Sequence, residues 1–144
     1  MPTIESLFEL AIELRDSGNL DHSIGVLSKI LDRYPGNESI YKVYVIRGGI
    51  YGDLGDHTLA LEDFKKATHL NPKSELASLG LYIAYIELAQ YEDAIHELIR
   101  YLSSYPAELY KDTLEELVND LQHGYMAAYK EDILRLARQN GIHL

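Results

Sequence analysis

Residues Tyr41 to Ser74 read YKVYVIRGGIYGDLGDHTLALEDFKKATHLNPKS, and the punctuation of this stretch decides the fold. A turn at Leu54-Gly55-Asp56-His57 interrupts it half-way and Pro72 closes it, so it reads as helix, turn, helix. The same marks recur on both sides. Pro35 follows Leu31-Asp-Arg-Tyr and Pro106 follows Leu102-Ser-Ser-Tyr, as Pro72 follows Thr68-His-Leu-Asn. Mid-unit turns fall at Ser17-Gly18-Asn19-Leu20-Asp21 and at Leu88-Ala89-Gln90-Tyr91-Glu92. Pro72 and Pro106 are 34 residues apart and Pro35 and Pro72 are 37 apart, so the unit repeats with one three-residue insertion.

Periodicity agrees with this division. Leu7, Leu10, Ala11 and Leu14 fall at i, i+3, i+4 and i+7, an apolar stripe along one helical face, and Leu20, Ile24, Leu27, Ile30 and Leu31 form another. Gly18 suits the left-handed residue that ends the first helix, and Asn19 suits the cap of the second. No stretch alternates as a half-buried strand must, and Asn140-Gly141 reads as a helix stop. Eight helices are predicted, at roughly 4–17, 20–33, 38–54, 57–70, 74–89, 91–105, 108–122 and 125–140.

These residues resemble the tetratricopeptide repeat family, whose 34-residue unit pairs two helices through small residues and carries a proline near its end. Residues 41–74 match through Tyr44, Gly48, Tyr51, Gly55-Asp56, Ala60, Phe64, Ala67 and Pro72. Residues 4–37 match through Leu7, Ala11, Leu14, Gly18, Leu20, Leu27 and Pro35, with Ser23 and Ile30 at small-residue sites. Residues 75–108 keep Leu81, Tyr85, Tyr91, Ala94, Leu98 and Pro106 but depart at Ser78, Tyr82 and Tyr101. The resemblance implies an all-α fold: an α-α superhelix (solenoid) of about three such units plus a C-terminal helical pair, one domain over residues 1–144. Residues 109–144 lack the repeat signature. Leu114, Leu117 and Leu121, then Met126, Tyr129, Ile133, Leu136 and Ala137, make them amphipathic, as capping helices or a degenerate fourth repeat should be.

Composition narrows the function. The 144 residues carry 13 Lys and Arg against 23 Asp and Glu, a net charge of −10 spread along the whole chain. That balance repels nucleic-acid phosphates and anionic lipid, so no nucleic acid and no membrane is expected as a partner, while a basic protein is attracted. Cysteine is absent, which excludes disulfides, thiol catalysis and Cys-ligated metal and fits a cytoplasmic protein. The opening Met-Pro-Thr-Ile-Glu-Ser-Leu has no basic stretch before an apolar one, so no secretory signal is expected. The apolar run from Gly80 to Ile86 is far short of the ~20 residues that span a membrane.

Reactive constellations are missing. The six histidines are scattered, and after His96-Glu97 an arginine, Arg100, stands where a zinc site's second histidine belongs; no metal site is expected. The glycine-rich run Gly48 to Gly55 leads into no Lys-Ser/Thr and follows no strand, so it cradles no phosphate. Adjacent carboxylates such as Glu62-Asp63, Glu92-Asp93, Glu115-Glu116 and Glu131-Asp132 read as solvated faces and helix-dipole partners. No catalytic residue and no cofactor is expected.

In the resembled family the first helix of each unit lines a concave groove that takes peptides or partner helices. Carried over, the lining is Glu5, Phe8, Ile12 and Arg15, then Lys42, Val45, Gly49, Gly52 and Asp53, then Leu76, Leu79, Ile83, Ile86 and Glu87. Tyr82 and Tyr41 join as aromatic anchors. One subclass grips chaperone tails with Lys, Asn and Arg; here Phe8, Ile12, Leu76 and Gly80 stand at four of those positions, so that clamp is not expected. An apolar strip with acids at its rim needs a cover: a partner segment, a second copy of the chain as a homodimer, or its own C-terminal helix. The expected function is a non-catalytic protein–protein interaction module. The alternatives are an acidic immunity or inhibitor protein that neutralises a basic toxin domain, and an enzyme whose site uses His123 and Tyr125 on the C-terminal helices.

Overall fold

The computed structural model describes residues 2–121 and 124–144, and all regular structure among them is helical. The chain divides into two compact units, Met1–Asn71 and Pro72–Leu144. The first holds α1 (Ile4–Asp16), α2 (Leu20–Arg33), α3 (Ile40–Asp53) and α4 (His57–Leu70). The second holds α5 (Glu75–Glu87), α6 (Tyr91–Leu102), α7 (Lys111–Asn119), a 3-10 helix (Gly124–Tyr129) and α8 (Lys130–Gln139). Within the units α1 pairs with α2, α3 with α4 and α5 with α6, as helix-turn-helix repeats should.

In the first unit Thr3 caps α1, its hydroxyl accepting from Ser6 N at 3.0 Å, and Asp56 caps α4 by accepting from Leu59 N at 3.4 Å. Asn19 stands at the cap position of α2, but its side chain makes no cap bond and donates to Ser17 Oγ instead. Leu7 and Ala11 of α1 meet Leu27 and Ile30 of α2 and Ile40, Val43 and Ile50 of α3 in one core. Ser23, at a small-residue site, donates to the Ala11 carbonyl at 2.7 Å, which satisfies a hydroxyl buried between the paired helices. Gly48 lets α3 approach α4: a Cβ there would stand 3.1 Å from the Phe64 ring.

Four helix ends share one hydrogen-bond pattern. Asn19 N reaches Leu14 O, Asp56 N reaches Tyr51 O, Gln90 N reaches Tyr85 O and Ile142 N reaches Ala137 O, each preceded by a residue of positive φ. That residue is Gly18, Gly55 and Gly141 in three of them, and Ala89 at φ +57° in the other.

The second unit solves its bulky departures with an aromatic cluster. Tyr82 meets Tyr110 edge-on at 6.0 Å between ring centroids, and Tyr101 lies 5.7 Å from Tyr110. Around them pack Leu98 and Leu102 of α6, Leu114 and Leu117 of α7, and Ile133 and Leu136 of α8. The amphipathic faces read in residues 109–144 thus point into a core. Helix α7 begins three residues later than expected because Glu75 Oε2 accepts from both Glu108 N and Tyr110 N, holding the approach in a non-helical path. Helix α6 stops at Leu102, consistent with the bar on helical backbone before Pro106. Residues 124–129 form the 3-10 helix where α-helix was expected.

Candidate protein-binding surfaces

Helix α5 carries an unusual apolar load. Its inner face buries Ala77, Ser78, Leu81, Tyr82 and Ala84. On the outer face Leu76 and Ile83, two turns apart, are 53% and 50% exposed, with Leu79 and Ile86 half-buried beside them. Residue Tyr82, predicted as an anchor, is 7% exposed and faces Tyr110, so it offers little surface to a partner. The last helices do not lie over this strip: α8 and the 3-10 helix pack against α6.

The first unit gathers its candidates differently. Phe8 and Lys42 line one cavity of about 430 Å³, floored by Ile4, Phe8 and Val43 and bordered by Glu5, Glu9 and Glu38. Ile12 is half-buried elsewhere on α1, and Val45 is 7% exposed. Gly49 is half-buried and open, with no atom within 4 Å of where a Cβ would stand. Sequence reasoning named Phe8, Glu5 and Lys42 but missed Ile4, Glu9 and Glu38. The i, i+4 pairs Ile4–Phe8 and Glu5–Glu9 were the available signal; Glu38 arrives from a loop, which spacing does not reveal.

Two polar networks lie inside the units. Arg47 donates from Nε and Nη2 to Asp63 Oδ2 and Oδ1 at 2.8 and 2.7 Å, and from Nη1 to Ser28 Oγ at 3.1 Å. Its guanidinium stacks near Tyr44 and Tyr51, and the Asp63 bond raises its pKa against the opposing effect of burial. In the second unit Ser78 donates to Glu97 Oε2 at 2.6 Å and so accepts from Tyr110 OH at 2.8 Å, while Arg100 grips Glu97 through Nε and Nη2. A serine, a carboxylate and a tyrosine in contact suggest catalysis, but Ser78 and Tyr110 are both 0% exposed. Burial pushes the Tyr110 phenol far above its ordinary range, outweighing the Ser78 bond, and burial also raises Tyr85 and Tyr101.

Among the described residues no group of three or more His, Asp or Glu is placed to hold a metal, and no helix is long and apolar enough to cross a membrane. His123 lies outside the described residues, as does the side chain of Tyr125.

Paired helices closed by recurring turns, with apolar strips on outer faces, define a helical-repeat protein. Over residues 53–117 the chain matches the tetratricopeptide repeat family. Among solved structures, MamA of strain AMB-1 superposes with a TM-score of 0.74 at 19% identity, covering 99% of this chain and 76% of that one. MamA of strain MSR-1 gives 0.70 at 19% identity, covering 97% of this chain and 80% of that one. The fold is therefore the all-α solenoid class, three helix-turn-helix units and a C-terminal helical pair. No curated protein matches the chain in sequence.

Proposed function

We propose that the chain is a non-catalytic, cytoplasmic module that binds another protein through the first-helix faces of its repeats. The observation that carries this reading is the outer face of α5, where Leu76 and Ile83 stand half exposed beside Leu79 and Ile86. Leaving such a half-exposed strip in water forgoes roughly 1 kcal/mol for each large side chain, a gain that an apolar partner segment recovers. The repeat family of residues 53–117 supports the reading, since its helical pairs serve as scaffolds for protein contact. Phe8, Ile12, Lys42, Val45 and Gly49 are the corresponding candidates in the first unit, with Phe8 and Lys42 at its cavity.

Ile83→Asp tests this. Its side chain is half exposed, so far-UV circular dichroism should stay unchanged while a partner retained by the wild-type chain from its native source is lost. Undiminished capture would reject the α5 face, and a concentration-dependent sedimentation coefficient that Ile83→Asp abolishes would assign it to a homodimer.

A second reading rests on the other cavity. Three carboxylates, Glu5, Glu9 and Glu38, border its apolar floor with Lys42 as the lone cation, which favours a basic segment with an apolar side chain. An inhibitor of a basic toxin domain would use such a surface.

A further inference from the structure

We propose that a cation-rimmed pocket between the ends of α2 and α4 and the start of α3 docks an acidic segment of a partner protein around one apolar anchor side chain. The pocket, of about 530 Å³, lies wholly within residues 31–70 and shares no residue with the cavity beside Phe8. Leu31, Ile40 and Leu70 make its apolar wall, and Leu70 is 51% exposed. Lys65, Lys66 and His69 come from successive turns at the end of α4 and bring their side chains to the same space. No carboxylate lines it.

Charge complementarity selects the occupant. A chain of net charge −10 repels anions over most of its surface, so a site with two lysines over an apolar floor is where an acidic segment is favoured. Lys66 is already oriented: its Nζ lies 5.6 Å from the centroid of the Tyr44 ring, which reduces the entropy lost on binding. Arg47, near the same ring, is committed to Asp63 and cannot serve. Lys65, Lys66, His69 and Leu70 are all exposed, so the geometry fits a segment laid across the surface, not a small molecule enclosed by it. Two lysines are too few to hold a phosphate backbone against the remaining charge.

Fluorescence anisotropy on the full chain tests the proposal, using dye-labelled peptides of Asp and Glu around a central Phe, Leu or Ile. Controls replace the central residue by Gly, or the acids by Lys and Arg. Saturable binding of at least one acidic-apolar peptide is expected, weakened about tenfold by the K65E/K66E double substitution or by Leu70→Asp, and unchanged by Ile83→Asp. Both lysines are exposed, so circular dichroism should report an intact fold. Failure of every acidic peptide to saturate, equal binding of the basic control, or affinity indifferent to K65E/K66E would each overturn it. Binding of a long-chain fatty-acid carboxylate where the peptides fail would reassign the pocket to small amphipathic anions and overturn it equally.

Discussion

Ala89 occupies, at φ +57°, the place that Gly18, Gly55 and Gly141 hold at three other helix ends. A Cβ in the left-handed region costs about 1–2 kcal/mol, and glycine returns part of that through the freedom of its unfolded chain. Ala89 is exposed, so its methyl group makes no burial contribution that would offset the strain. Ala89→Gly should therefore stabilise the protein by about 0.5–1 kcal/mol, read as a higher urea midpoint at unchanged slope. A lower midpoint would show that the Ala89 turn is not strained. Gly18 announced its turn in the sequence because only glycine is at ease there; Ala89 concealed the same turn, and only its place before Gln90-Tyr91 gave it away. Ser23 and Ser78 were legible as departures from small residues, but a sequence does not say where a hydroxyl points. One meets the Ala11 carbonyl and the other joins Glu97 to Tyr110.

Helices α1 to α5 follow the apolar stripes and turn residues closely, because those signals are local. The start of α7 departs where a distant carboxylate, Glu75, captures backbone donors that a helix would otherwise leave to water. Between elements, two contacts carry consequences. Asp63 of α4 is 3% exposed and binds Arg47 of α3 in a two-point ion pair, with Ser28 of α2 as a third partner. Asp63→Ala should cost about 3 kcal/mol by leaving a part-buried guanidinium unpaired, and the double variant with Arg47→Met should recover part of that loss in chemical denaturation. Additive losses would mean the pair is uncoupled. In the second unit Tyr110 joins α7 to α5 through Ser78, and burial raises its pKa. Below about pH 10 the phenol is neutral in both states; above it the unfolded chain releases the proton more readily, so stability falls as pH rises. Tyr110→Phe should cost about 1 kcal/mol at neutral pH yet flatten the loss between about pH 9 and about pH 11, the remaining slope belonging to Tyr85 and Tyr101. An unaltered alkaline slope would remove Tyr110 from that account.

At the scale of the whole chain, the repeat was legible because it follows from periodicity, while the groove lining came only from the family resemblance. That resemblance did not disclose which of the lining residues stay on the surface. Val45 and Tyr82 were read as groove lining and are buried, because a helix packed on several sides uses more of its circumference than one stripe. Ile83 and Leu76, read as lining with them, are half exposed. The surviving surfaces differ in physics, and salt separates them. The α5 strip offers apolar area, whose attraction is insensitive to screening, while the Glu5, Glu9 and Glu38 border acts through charge that a Debye length of about 8–10 Å already attenuates. A partner held on α5 should keep its affinity within about twofold between about 50 mM and about 500 mM salt, with Ile83→Asp removing it at both. A basic partner held at the carboxylate border should lose about tenfold over the same range, chiefly in its association rate, and Glu5→Gln with Glu9→Gln should reproduce that loss at low salt. Calorimetric and kinetic titrations of the captured partner at the two salt levels distinguish these outcomes. A salt-sensitive complex that survives both Ile83→Asp and the Glu5→Gln with Glu9→Gln pair would exclude both surfaces at once and direct attention to the pocket rimmed by Lys65 and Lys66.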